Sequence, residues 1–256
     1  MNKTLYVLAC LLASNVWAYD DCKFEKRIDT TLDLATASQL NIDARAGDLK
    51  VTGDAHSSEA VIEATICASE EDWADESWLK LESGKTAMIS VHDPRDGNSS
   101  WYDNESFSVD LIISVPAGLA LSIRDSSGPL SVQGSGDLTI QDSSGDIDVR
   151  DIQGMVSIED SSGDIDLRQV EGDLVIEGDS SGNISGTDIR GSVLVKQDSS
   201  GNIRFENVQD DFIVERDSSG NIVADTIGGD FRVLKDGSGS IQSRNVSGKI
   251  DIPEKS

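Results

Sequence analysis

Apolar residues in the last 132 residues of this chain return in a fixed order of five positions. Counted from an aspartate as zero, they fall at +5, +7, +10, +14 and +16. From Asp142 these are Ile147, Val149, Ile152, Val156 and Ile158. From Asp160 they are Ile165, Leu167, Val170, Leu174 and Ile176, and from Asp198 they are Ile203, Phe205, Val208, Phe212 and Val214. The pairs +5/+7 and +14/+16 have period two, which predicts two short strands per repeat, each with one buried face. The 3.6-residue period of an amphipathic helix is absent from the repeats.

The reference aspartates are Asp125, Asp142, Asp160, Asp179, Asp198, Asp217 and Asp236, spaced 17, 18, 19, 19, 19 and 19 residues apart. Six open a D-S-S-G tetrapeptide and the last opens D-G-S-G. A period this short and regular predicts an all-β, single-chain β-solenoid (β-helix-like), with about 19 residues and two short strands per turn. One turn cannot bury its apolar edge alone, but stacked turns form a continuous narrow core. Seven turns at the ~4.8 Å strand spacing give a section of roughly 34 Å. Gly182, Gly201 and Gly220 punctuate one corner and Gly172, Gly191 and Gly229 the other, where tight corners favour positive φ. Ala224, Gly186 and Ser243 shrink the +7 position in three turns. After Ile250 and Ile252, Pro253, Glu254 and Lys255 are expected to blunt the terminal strand edge.

Residues 19–124 read as a less regular β part of the same solenoid, and 125–256 as the regular repeats. The stretch L-N-I-D-A-R-A-G-D-L-K-V-T-G, with Ile42, Leu49 and Val51, echoes the repeat, so the coil is expected to begin near residue 40. Val109, Leu111, Ile113 and Val115 alternate into V-P-A-G-L-A-L-S-I, where Leu121 and Ile123 take the +14/+16 places of an earlier turn. Residues 68–106 break the pattern and read as an excursion from the rod.

With those two segments and the repeated S-S-G-D-I and S-S-G-N-I, residues 30–252 resemble the bacterial "putative adhesin" family of exported β-strand-repeat proteins. The resemblance implies the fold. It implies no catalytic residues, because the family's activity is itself largely uncharacterised.

Residues 1–18 read as a secretory signal: Lys3, an apolar run from Leu5 to Leu12, and Val16-Trp17-Ala18 as a small-x-small cleavage site. The run is too short to span a membrane, and no transmembrane segment is expected after signal removal. The expected location is the periplasm or the cell surface. Cys22 and Cys67 remain, and an exported chain with two cysteines predicts one disulfide. The net charge is −26, and without Lys3 it becomes −27. Such a charge opposes binding to nucleic acid and to anionic membranes. It suits solubility, cation binding or an acidic coat.

The aspartates raise the main chemical question. Stacked at ~4.8 Å, like charges repel by about 1 kcal/mol per neighbour even at the dielectric of water. One answer is structural: each Asp accepts backbone N–H bonds from the residues after it, as an Asx-type turn, and Ser hydroxyls bridge turns. The other is weak Ca²⁺ binding or cation screening by Asp142, Asp146, Asp148, Asp160, Asp164 and Asp166, which the register gathers on one flank. Later turns carry Asn183, Asn202 and Asn221 instead, and an amide ladder needs no metal. No other cofactor is expected.

Gly178-Asp179-Ser180-Ser181-Gly182 matches G-x-S-x-G, but a nucleophile elbow needs a strand-to-helix turn and a His partner. The two histidines, His56 and His92, lie far upstream. Trp73, Trp78, Trp101 and Tyr102 concentrate in the excursion, as a cap for the solenoid or a recognition surface. The expected function is a non-enzymatic cell-envelope scaffold, an acidic rod that binds a protein or glycan. The alternative is a carbohydrate-active β-helix with paired carboxylates on its flank.

Overall fold

The computed structural model describes residues 22–95 and 106–253. The N-terminal part holds β1 (Phe24–Asp33), β2 (Gln39–Ala46), β3 (Leu49–Asp54), β4 (Glu59–Ala68), α1 (Glu71–Glu76), β5 (Trp78–Glu82), β6 (Thr86–His92) and β7 (Phe107–Pro116). The chain then coils through β8 (Ala120–Ser127), β9 (Leu130–Gln133), β10 (Leu138–Gln141), β11 (Ile147–Ile152), β12 (Val156–Glu159), β13 (Ile165–Val170) and β14 (Leu174–Gly178). It continues through β15 (Ile184–Ile189), β16 (Val193–Val195), β17 (Ile203–Val208), β18 (Phe212–Val214), β19 (Ile222–Ile227), β20 (Phe231–Val233), β21 (Ile241–Val246) and β22 (Ile250–Asp251).

Among the described residues these strands form two sheets of eleven strands. Each turn of the coil adds one strand to each sheet, parallel to its predecessor. Ile165 thus pairs with Ile184, Ile184 with Ile203 and Ile203 with Ile222 down one sheet. Leu174 pairs with Val193 and Val193 with Phe212 down the other. All five apolar columns lie between the sheets: Ile165, Leu167, Val170, Leu174 and Ile176 are fully buried. The fold is a β-solenoid of about seven turns.

The +7 to +10 step is three residues, off the strand period, and the structure shows why. The +9 residue of six successive turns adopts the left-handed conformation: Asp151, Gln169, Asp188, Asn207, Thr226 and Asn245, with φ between 55° and 60°. The ladder skips this residue, passing from Arg150↔Arg168 directly to Ile152↔Val170. The kink turns +10 back into the core. Asp and Asn tolerate this conformation better than most residues. The second corner is therefore not made by glycines at positive φ, as Gly172, Gly191 and Gly229 suggested. They sit where the preceding turn comes close: a Cβ would lie 2.5 Å from the Gly154 carbonyl oxygen at Gly172 and 2.6 Å from the Gly172 carbonyl oxygen at Gly191.

β2 and β3 stack on β8 and β9 as one more turn. Beyond them the coil gives way to antiparallel pairing. β4 lies between β1 and β7 in one sheet, and β5 pairs antiparallel with β6 in the other. The segment 68–106 does not simply leave the rod: β6 lies parallel to β2 and extends that sheet. Without it the N–H and C=O groups of β2 would face solvent as an open edge. The short helix α1 between β4 and β5, with Ala74 buried, is too brief to leave a periodic signal in sequence.

At the other end the last turn is open. Ile241 and Val246 are half-buried, while Ile250 and Ile252 are 52% and 42% exposed. Glu254 and Lys255 lie outside the described residues.

Candidate functional site

The D-S-S-G corner turns its aspartates inward. Asp125, Asp142, Asp160, Asp179, Asp198 and Asp217 are 0–6% exposed and form one column inside the corner. Backbone bridges Asp179↔Asp198 and Asp198↔Asp217 hold neighbouring members in register. The following residues donate as an Asx-type turn: Ser143 N–H to Asp142 Oδ1 at 2.7 Å, Ser161 N–H to Asp160 Oδ1 at 2.7 Å, and Ser181 N–H to Asp179 Oδ1 at 3.1 Å. The second Ser hydroxyl bridges turns, as when Ser200 Oγ donates to the Ser180 carbonyl at 3.1 Å.

At least one oxygen of each carboxyl remains unserved. Oδ2 of Asp125, Asp142, Asp160, Asp179 and Asp217 has no hydrogen-bond partner, and neither oxygen of Asp198 has one. The Ser199 N–H, which would serve Asp198, donates instead to the Asp179 carbonyl of the previous turn at 3.1 Å. Burial pushes Asp125 up to about 7. Burial, with the charges of Asp217 and Asp179, pushes Asp198 up to about 7. Asp160 rises to about 6, and Asp142, Asp179 and Asp217 are also raised, burial leading in each case.

The next column, at +4, faces outward and is tied from turn to turn by hydrogen bonds. Asp146 Oδ1 accepts the Asp164 N–H at 3.0 Å, and Asp164 Oδ1 accepts the Asn183 N–H at 2.7 Å and its Nδ2 at 3.1 Å. Asn183, Asn202 and Asn221 continue the ladder through Nδ2–H···Oδ1 bonds of 3.0 Å. At +6, Asp148 and Asp166 each pair with the arginine two residues on, Arg150 and Arg168.

The six aspartates proposed for Ca²⁺ are thus divided among three columns. Asp142 and Asp160 are inside, Asp146 and Asp164 are in the +4 ladder, and Asp148 and Asp166 are on the strand face. Among the described residues no three or more His, Cys, Asp or Glu side chains converge as metal ligands.

The left-handed corner builds the best-formed groove, an open trough of about 510 Å³ along the rod. Gln169, Asp188, Asn207, Thr226 and Asn245 supply the +9 side, and Glu171, Arg190, Gln209, Gly228 and Ser247 the +11 side, with buried Ile189, Val208 and Ile227 beneath. Asn207 Nδ2 donates to Asp188 Oδ1 at 3.1 Å, and Arg190 pairs with Glu171 at 2.8 Å. Five turns at ~4.8 Å give the trough a length of about 20 Å. Sequence reasoning missed it. The off-period +7/+10 step with polar residues at +9 was the available signal.

At the N-terminal end, Trp73 of α1 packs against the core with the Arg95 guanidinium 5.7 Å from its ring. Arg95 also lies 4.7 Å from the Phe107 ring and pairs with Asp93 at 2.8 Å. Although burial opposes it, these Arg95 hydrogen bonds hold Asp93 below the usual carboxylate range. Trp78, 48% exposed, meets His92 at 5.0 Å. Trp73 therefore acts within the cap, and Trp78 presents an exposed ring; Trp101 and Tyr102 lie outside the described residues. Cys22 and Cys67 form a disulfide that ties the start of β1 to the end of β4. It points to an extracytoplasmic protein. No helix among the described residues is long and apolar enough to cross a membrane.

No protein-family model and no curated protein matches the chain. Solved structures with a similar chain path do exist. A "putative lipid binding protein" from Parabacteroides distasonis is 16% identical, covering 89% of this chain and 97% of that one, with a TM-score of 0.43. A "putative adhesin" from Bacteroides fragilis is 12% identical over 89% and 97%, with a TM-score of 0.38. A "putative cell adhesion protein" from Clostridium sporogenes is 14% identical over 90% and 99%, with a TM-score of 0.33. At such identities the adhesion and lipid-binding names belong to those proteins.

Proposed function

We propose that this chain is a non-enzymatic binding scaffold of the cell envelope, a rigid acidic rod that holds an extended polymer, glycan or peptide, along the left-handed corner. One observation carries this reading: the trough repeats its polar side chains once per turn over five turns. A repeating surface suits a repeating or extended ligand, whereas a compact substrate needs a closed pocket. Exposed carboxamide, hydroxyl and ion-paired groups supply donors and acceptors without a large apolar patch. The net charge of −26 turns away nucleic acid and anionic lipid as competitors.

The test is a glycan array beside a panel of extended envelope peptides, run with the wild-type protein and with Gln209→Ala combined with Arg190→Ala. These side chains are exposed, so folding should survive the change. Binding that weakens at least tenfold in the double variant supports the reading. Release of new reducing ends from a bound glycan would sink it in favour of the carbohydrate-active alternative, and binding that ignores the double variant would place the site elsewhere.

A further inference from the structure

We propose that the buried aspartate column is a proton-binding device: neighbouring turns share protons between their carboxyl groups, so that the solenoid is tightened by mild acid and loosened as the pH rises past neutrality.

Six successive aspartates are 0–6% exposed, and each has at least one oxygen with no partner. An ionised carboxylate with an unserved, buried oxygen is costly, and two such charges one strand apart repel more strongly than in water. Three things can relieve this: an outside cation, a salt bridge or a proton.

Salt bridges are not at hand. The charged groups around the column are themselves carboxylates, or are committed elsewhere. Asp43 faces Asp125, and Asp164 faces Asp179. Arg45, beside Asp125 in the ladder, pairs with Asp43. Glu177 pairs with Lys196, and Arg124, Glu159, Arg216 and Lys235, which precede column members, all point to solvent. A divalent ion is a poor fit. Ca²⁺ takes six to eight oxygens, and the column offers about one free oxygen per turn in a sealed corner. A proton needs only one donor and one acceptor. Stacked carboxyl groups at the ~4.8 Å strand spacing, aligned with the stack, leave a gap that an O–H···O bond fills. Protonated Oδ2 then donates to the carboxyl of the next turn, while Oδ1 keeps its Ser N–H bonds.

The proton comes from solvent and returns to it. The upward displacement of Asp125, Asp160 and Asp198 to between about 6 and about 7 agrees with this geometry. A carboxyl raised on folding binds more protons folded than unfolded between about pH 4 and pH 7. Its contribution is therefore fully present below about pH 4 and is lost as the pH rises through 6 to 7.

The decisive experiment is a carboxyl titration of the full folded chain, with ¹³Cγ-labelled aspartate followed by NMR from pH 3 to 9. We expect the resonances of Asp125, Asp160 and Asp198 to remain largely protonated at pH 5.5, where an ordinary aspartate is ionised, and those of Asp142, Asp179 and Asp217 to titrate above the ordinary range. Thermal melts should show the midpoint falling from pH 5 to pH 8. Asp198→Asn mimics the neutral acid, so it should flatten that fall and leave the fold intact at pH 8. The proposal is overturned if every aspartate resonance titrates near pH 4 in the wild type, a measurement that needs no variant. It is equally overturned if the midpoint is flat or rises from pH 5 to 8, or if millimolar Ca²⁺ produces a stabilisation that a chelator removes and Asp198→Asn abolishes.

Discussion

Gly186 and Phe205 offer the sharpest test of how the core columns are packed. They are direct ladder partners at +7, both fully buried, and Leu167 precedes them in the same column. A Cβ on Gly186 would lie 2.3 Å from Cε1 and 2.5 Å from Cδ1 of Phe205. The ring therefore occupies the space that the glycine vacates, and it extends on to Phe212 at 5.0 Å between centroids. Gly186 has ordinary strand backbone, so Gly186→Ala gains up to about 1 kcal/mol of backbone entropy. Overpacking costs about 1–3 kcal/mol, so the net expectation is a loss of about 1–2 kcal/mol. Phe205→Ala should cost about 3–5 kcal/mol, and Phe205→Leu clearly less. In combination with Phe205→Leu, the alanine at 186 has room, and the pair should couple favourably by about 1 kcal/mol or more. The assay is urea denaturation followed by far-ultraviolet circular dichroism, with a double-mutant cycle. Solenoid turns can unfold piecemeal, so amide exchange at Ile184 and Ile203 supplies the local reading. Additivity within about 0.5 kcal/mol would refute the packing argument.

Gly201→Ala, by contrast, should not be rescued by any side-chain change, because its φ is +133° and its Cβ would strike the Gly182 carbonyl oxygen at 1.6 Å; a melt showing wild-type stability would contradict the corner geometry. Val208→Asp buries an unpaired charge and should abolish cooperative unfolding by circular dichroism, whereas Asp210→Asn, at an exposed position, should change stability by less than about 0.5 kcal/mol. Cys67→Ser opens a 45-residue loop and should cost about 4 kcal/mol on a chain-entropy estimate, read as early loss of protection in β1 and β4. Below about pH 4 the sign of the pH dependence reverses. Asp230, held low first by the Lys249 N–H and then by Arg232, and Asp225, held low by Arg244, lose their stabilising interactions on protonation, so the melting midpoint should peak near pH 4. Millimolar Ca²⁺ and Mg²⁺ should raise the midpoint equally and modestly by relieving repulsion between Asp146 and Asp164; a large shift with Ca²⁺ alone would mean dedicated sites.

Much of the architecture was legible because a solenoid repeats its constraints. The five apolar columns, the Asx-type turn after Asp142, Asp160, Asp179 and Asp217, the Ser bridges and the Asn ladder all follow from residue type and spacing within one turn. Three features were not legible, each for a physical reason. The inward orientation of the ladder aspartates runs against the rule that Asp avoids burial unless paired, so the rule pointed outward. The left-handed +9 residue is Asp, Gln, Asn or Thr rather than glycine, and composition does not flag it. The pairing of β6 with β2 joins residues 86–90 to 39–43, a contact between segments that do not repeat.

The internal repeat also works as an alignment of the chain with itself, and it separates structure from recognition. Columns 0, +3, +5 and +10 hardly vary, and the structure gives each a reason: an inward Asp, a glycine under a carbonyl, and two core contacts. Column +6 runs Asp148, Asp166, Ser185, Arg204, Val223 and Gln242, and column +8 runs Arg150, Arg168, Thr187, Glu206, Asp225 and Arg244. Apart from Asp225, these are surface positions of one strand face, and their charge changes from turn to turn. A rod that only filled space would have no reason to vary them in one way rather than another, and a uniform lattice binder would keep them constant. Together with the +9 and +11 columns that line the trough, they give each turn a different pattern at a fixed spacing. On the proposed binding function, selectivity for a partner is expected to reside in these outward columns. Exchanging the +6 to +11 segments of two turns, with every core and corner residue retained, should leave stability within about 1 kcal/mol and alter binding. An exchange that unfolds the rod would show that the outward columns also carry the fold.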